Sequence, residues 1–124
     1  MTIRRVVPNL MSPDMDASRR FYGDLLGFNL VMDLGWIVTY ASPANPTAQI
    51  SISPGQALKG EQMRPYLTIE VNDVDAVHGR AVAHGYDVVH PLTDEPWGVR
   101  RFFVVDPGGL VLNILGQTPL GEAR

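Results

Sequence analysis

Asp14, Asp16 and Ala17 recur as Asp73, Asp75 and Ala76 at an offset of 59 residues. Leu10 meets Ile69 at the same offset, and Gly27-Phe28 meets Gly85-Tyr86 at 58. Such a repeat means one supersecondary unit used twice. Around each copy the order is the same: a strand, a capped helix, then about three strands. The pattern predicts a βαβββ module twice, at about 1–58 and 62–118 of 124 residues. A module of roughly 60 residues buries little core alone, so the pair is expected to form one domain over 1–124. The expected fold class is α+β: two βαβββ modules forming one curved mixed β-sheet cup, with helices on the outer face. The other face, curved by twist, is where a ligand would lodge.

Local signals agree with this plan. Met15 to Leu26 places Ser18, Phe21, Tyr22, Leu25 and Leu26 at helical spacing, with Asp14 as N-cap and Gly27 as a left-handed stop. The second helix is expected from Val74 to His84, with Val74, Val77 and Ala81 on one stripe, Asp73 as cap and Gly85 as stop. Strands are expected at Ile3–Met11, Phe28–Asp33, Trp36–Ala41, Gln49–Ser53, Tyr66–Val71, Asp87–His90, Arg101–Val105 and Leu110–Leu115, where the apolar period is two or β-branched residues cluster. Asp106-Pro107-Gly108-Gly109 is a strong turn signal, and 43–46 and 53–60 read as loops.

Composition removes several functions. Ten Lys and Arg against thirteen Asp and Glu leave a net charge of −3, which argues against a nucleic-acid partner. The longest nearly apolar stretch, Leu25 to Met32, is far short of the roughly twenty residues that span a bilayer, so no membrane partner is expected. Pro8 and Asn9 interrupt any signal-peptide core, and a cytoplasmic location is expected. Without cysteine there is no disulfide, thiolate metal site or Cys nucleophile.

Two motifs resemble a known superfamily, the vicinal oxygen chelate proteins of the glyoxalase/bleomycin-resistance/dioxygenase fold. One is Asp14-x-x-Ala17-Ser18-x-x-Phe21-Tyr22-x-x-Leu25-Leu26-Gly27-Phe28. The other, Pro96-Trp97-Gly98-Val99-Arg100 followed by Asp106-Pro107-x-Gly109, resembles the bleomycin-resistance branch in particular. The resemblance implies the duplicated fold, a small-molecule ligand and a homodimer, and in the enzymes a divalent metal held by four side chains. The corresponding positions here are Val7, Ser51, Tyr66 and Asn113. Val7 has no lone pair, Ser51 and Asn113 offer neutral oxygens, and a phenol with a pKa near 10 is costly to ionise. Nothing in that set offsets the dehydration of a dication, so neither metal nor other cofactor is expected. The metal-dependent activities of the superfamily are correspondingly disfavoured.

The remaining candidates are aromatic and neutral polar residues. Trp97 sits in a Pro- and Gly-rich loop where a core role is not obvious, and Trp36 follows Gly35, with Val38 and Tyr40 on its face. Arg101, Phe103 and Val105 share one parity, and Asn113 and Val111 oppose the apolar Leu110, Leu112 and Ile114. The expected ligand site is therefore Asn9, Trp36, Ser51, Tyr66, Trp97, Phe103 and Asn113, suited to a flat organic molecule. No catalytic residue is assigned. His78 and His84, six apart on a helix, read as ordinary helix histidines, while Glu70 and His90 stay open between cavity and solvent. The leading expectation is a metal-free binding protein that sequesters an antibiotic or aromatic metabolite. The alternative is an enzyme of the same superfamily with a non-standard or absent metal site.

Overall fold

A computed structural model describes residues 4–55 and 65–119. The chain divides into two compact units, Met1–Ala57 and Leu58–Arg124, each with its own four-stranded mixed sheet. The first unit holds β1 (Asn9–Ser12), α1 (Met15–Ser18) running on as a π-helix over Arg19–Leu25, β2 (Asn29–Asp33), β3 (Val38–Ala41) and β4 (Gln49–Pro54). The second holds β5 (Leu67–Glu70), α2 (Val74–Ala83), β6 (Val88–Glu95), β7 (Val99–Val105) and β8 (Val111–Gln117). Two βαβββ modules of the α+β class are thus observed.

Both sheets have one plan. The order is β1-β4-β3-β2 in the first and β5-β8-β7-β6 in the second, and each opening strand runs parallel to the last strand of its own module. The sequence pattern anticipates one shared sheet. Among the described residues, hydrogen bonding instead closes each sheet within its module, because the last strand of each βαβββ unit returns beside its first.

The capping chemistry repeats as well. Asp14 accepts a hydrogen bond from the Ala17 amide at 3.0 Å, and Asp73 accepts one from Ala76 at the same distance. Gly27 and Gly85 stop the helices with φ of +79° and +76°, a left-handed turn that favours glycine. The helices then bury their predicted faces. Tyr22 lies against Tyr40 of β3 at a ring separation of 6.0 Å, and His78 of α2 meets Phe102 of β7 edge-on at 5.0 Å. Leu10, Val38, Tyr40, Ile50 and Ile52 form the core under the first helix. Val74, Val77, Ala81, Phe102, Val104, Leu112 and Ile114 form the core of the second unit.

Several boundaries differ from expectation. The first strand begins at Asn9, with only an isolated bridge from Val6 to Ala48 before it, and the expected start at Ile3 lies outside the described residues. Pro8 lacks the amide that would continue the ladder. The π-helical turns replace the regular helix expected up to Leu26. β3 begins at Val38, so Trp36 stands in a bend outside the strand. The long hairpin of β6 and β7 carries Asp94 and Glu95 into a strand where a loop is expected, with register shifts between Val88 and His90 and between His90 and Thr93. The expected loop after Ser53 lies outside the described residues from 56 onward.

Candidate functional site

The sheet face turned away from the helix carries polar side chains such as Asn9, Thr39 and Ser51 in the first unit, and polar and aromatic ones such as Thr68, Phe103 and Asn113 in the second. Register fixes who meets whom. Asn9 lies opposite Ser51 across β1 and β4, and Thr68 lies opposite Asn113 across β5 and β8. Asn9 and Thr68 are 59 residues apart, the spacing that also links the two capping aspartates. The duplication therefore extends to paired neutral polar side chains on equivalent strands.

In the first unit the Thr39 and Ser51 hydroxyls are buried and 2.7 Å apart. Asn9 is exposed beside Ser51. The expectation that Trp36 shares a ligand-facing surface with Val38 and Tyr40 is not met. Those two residues are core beneath the helix, whereas Trp36 is 64% exposed in the bend. β3 begins only at Val38, so strand parity does not extend to Trp36, which is why parity misassigns it.

The second unit gathers the richer set. Phe103 is the register partner of Asn113 on one side and of His90 on the other. The His90 ring lies 4.7 Å from the Phe103 ring, and its Nδ1 is 2.8 Å from the Pro91 carbonyl oxygen. Two residues along β7, the Arg101 guanidinium carbon lies 4.8 Å from the Phe103 centroid and 5.2 Å from the Trp97 centroid. Glu95 pairs with Arg101 at 3.3 Å. Trp97 is 51% exposed and Asn113 only 7%. Asn113 donates from Nδ2 to Thr68 Oγ1 at 3.2 Å, while its buried Oδ1 meets no hydrogen-bond partner among the described residues.

Trp97 and Phe103, both beside the Arg101 guanidinium, and Asn113, the register partner of Phe103, therefore follow one another along the second sheet. Tyr66 is exposed just before β5, and its amide donates to the Val111 carbonyl at 2.7 Å, next to the Thr68 and Asn113 pair. Glu70 accepts from Gln117 at 2.8 Å and belongs to an exposed polar pair. The residues that sequence reasoning passes over are Arg101, Glu95 and Thr68. Arg101 shares its parity with Phe103, which is the signal that could have found it.

This donor set does not fit a dication. Ser51 is engaged with Thr39, Val7 has no donor atom in its side chain, and Asn113 offers a single uncharged amide oxygen, too little to offset a dication's dehydration. Among the described residues, no group of three or more His, Asp or Glu converges anywhere. A neutral amide oxygen with no partner calls for a hydrogen-bond donor, such as a ligand N–H or O–H.

A separate cleft of about 340 Å³ lies at the start of α2, lined by Asp73, Asp75, Asp94, Arg100 and Gln117 among others. Its one cation, Arg100, is held by Asp75 at 2.8 Å and Asp94 at 3.1 Å, and these carboxylates raise its pKa further. With its charge already matched, Arg100 has little left to attract a ligand.

Residues 2–114 match the family described as the Glyoxalase/Bleomycin resistance protein/Dioxygenase superfamily. CFP32 of Mycobacterium bovis, named as a candidate glyoxylase, is 32% identical over 120 residues, covering 90% of this chain and 46% of that protein. The chain thus spans under half the length of the curated relatives it matches. Among solved structures, TnmS3, an antibiotic-binding protein from Streptomyces sp. CB03234, superposes with a TM-score of 0.76 at 23% identity, over 95% of this chain and 99% of its own. A glyoxalase-related enzyme from Fulvimarina pelagi gives 0.71 at 26%, over 93% and 89%. No helix among the described residues is long and apolar enough to cross a membrane. By the profile match across most of its length, this chain belongs to the Glyoxalase/Bleomycin resistance protein/Dioxygenase superfamily.

Proposed function

We propose that the protein is a metal-free small-molecule binder of the bleomycin-resistance type, which holds an antibiotic or aromatic metabolite without modifying it. One observation carries the reading. Trp97, Arg101, Phe103 and His90 form a row of flat groups beside the buried, partnerless Asn113 oxygen, where the superfamily's enzymes need an anionic or imidazole metal ligand. Such a surface stacks a planar molecule and orients it by few hydrogen bonds. Tyr66, just before β5, adjoins that row, and on the first sheet Asn9 and Ser51 offer polar contacts of their own, with Trp36 exposed in the bend before β3. The likeness to antibiotic-binding TnmS3 supports the fold on which this rests.

The same reading makes the protein a cytoplasmic homodimer. β2 is an edge strand exposed along its whole length, with apolar Leu30, Val31 and Met32, and such an edge favours a covering partner. Light scattering at micromolar concentration tests this, and a monomer contradicts it.

A second reading is an enzyme of the superfamily with a non-standard or absent metal site, favoured by the 32% identity to CFP32. Two measurements separate the readings. Elemental analysis of purified protein is expected to find no stoichiometric Ni, Zn, Fe or Mn. A thermal-shift screen of antibiotics and aromatic metabolites is expected to find a stabilising ligand, because binding to the native state raises stability as RT ln(1+[L]/Kd). About one equivalent of metal, lost on mutation of Ser51 or Asn113, favours the enzyme.

A further inference from the structure

We infer that the second sheet selects planar aromatic ligands carrying an anionic group, with Arg101 as the anchor and Glu95 as the internal carboxylate that the ligand displaces. This rests on the binding reading above and names its ligand class.

Arg101 is an underused cation. A guanidinium presents five N–H donors in a planar fork. Glu95 engages it through one terminal nitrogen at 3.3 Å, longer than the usual charge-assisted contact, and no second contact between the two is formed. Its Nε is buried with no hydrogen-bond partner among the described residues. The Arg101 and Glu95 side chains are only 22% and 14% exposed, so water compensates the unmet donor poorly. A carboxylate that takes two of these donors in parallel is the natural complement.

The aromatic neighbours set the rest of the ligand. Trp97 and Phe103 both lie within cation–π range of the guanidinium, so its plane and position are held by two rings. A flat ligand extending this stack brings an acidic substituent to the guanidinium edge. Near the other end, beside Phe103, the partnerless Asn113 oxygen accepts a donor from the ligand. A cationic ligand is disfavoured, because Arg101 already occupies the space between the rings and Glu95. A neutral one offers the guanidinium only uncharged acceptors, which bind it more weakly than a carboxylate.

Three probes of one shape test this by titration calorimetry: 2-naphthoate, 2-naphthamide and 2-naphthylmethylammonium. The expected order places the carboxylate about tenfold tighter than the amide, with the ammonium weakest. Arg101→Met removes the preference for carboxylate over amide. Glu95→Gln, which frees the guanidinium, tightens 2-naphthoate severalfold and leaves the amide unchanged. Should Arg101→Met fail to fold, Glu95→Gln decides alone. Equal affinity for carboxylate and amide, or weaker 2-naphthoate binding in Glu95→Gln, overturns the anion inference while the binding reading stands. No binding of any probe at millimolar concentration overturns both for this face.

Discussion

Phe103 and Asn113 face each other across β7 and β8, so a buried amide oxygen with no hydrogen-bond partner among the described residues lies beside an aromatic ring. That juxtaposition explains why the position suits recognition better than folding. A buried acceptor without a partner costs roughly 1–3 kcal/mol. In an unliganded protein it is a stability defect that a ligand can relieve.

Replacing Asn113 by Leu is therefore expected to stabilise the free protein. The substitution removes the orphaned oxygen and loses the bond to Thr68, worth about 0.5–1.5 kcal/mol, whose exposed hydroxyl can turn to water. Chemical denaturation checks this. The same variant should bind the screened ligand more weakly, and a destabilised variant with unchanged affinity contradicts the role of Asn113.

Trp97→Ala should lower affinity while leaving stability nearly unchanged. Its ring is half exposed at the β6–β7 turn, so the melting temperature should change little. Ligand affinity should fall by the stacking contribution of roughly 0.5–1.5 kcal/mol beyond the lost area. Calorimetry and melting of the same preparation separate these effects.

The capping aspartates offer a test of the duplication. Asp14→Ala and Asp73→Ala each remove one side-chain acceptor from a helix N-terminus, and each should cost about 1 kcal/mol. A loss at one site and none at the other means that the two modules are not held in the same way.

Tyr40 gives a pH signature. Burial beneath the first helix raises its phenol pKa above the ordinary value, against the opposing hydrogen bond and charge of Arg19. The folded state thus holds this proton more tightly than the unfolded chain. Its stabilisation is complete below about pH 10 and is lost as the pH rises through the folded pKa. Denaturation midpoints of Tyr40→Phe should fall less steeply than those of the wild type above pH 10. Equal slopes contradict the assignment.

Local signals in the sequence carried most of the fold. Asp14 and Asp73 cap as expected, Gly27 and Gly85 stop the helices, and the alternation in 110–115 correctly turns Asn113 away from α2. Parity also assigns Phe103 and Arg101 to one face. It fails beyond a strand's ends. The late start of β3 leaves Trp36 outside the ladder. Glu95 reaches Arg101 diagonally in the regular part of the hairpin, where Glu95 faces Val99 and Thr93 faces Arg101, a pairing that depends on hairpin geometry and on no local propensity. Arg101 was legible as a neighbour of Phe103, but its partners were not.

The central claim is that binding on this face needs no metal. The direct measurement is the Kd of the ligand found by thermal shift, determined calorimetrically in protein dialysed against EDTA and again with Ni, Zn, Fe or Mn restored. The account predicts the same Kd in both, with the ligand recovered chemically unchanged. Binding that vanishes in EDTA and returns with one equivalent of metal, or a ligand recovered as a product, contradicts it.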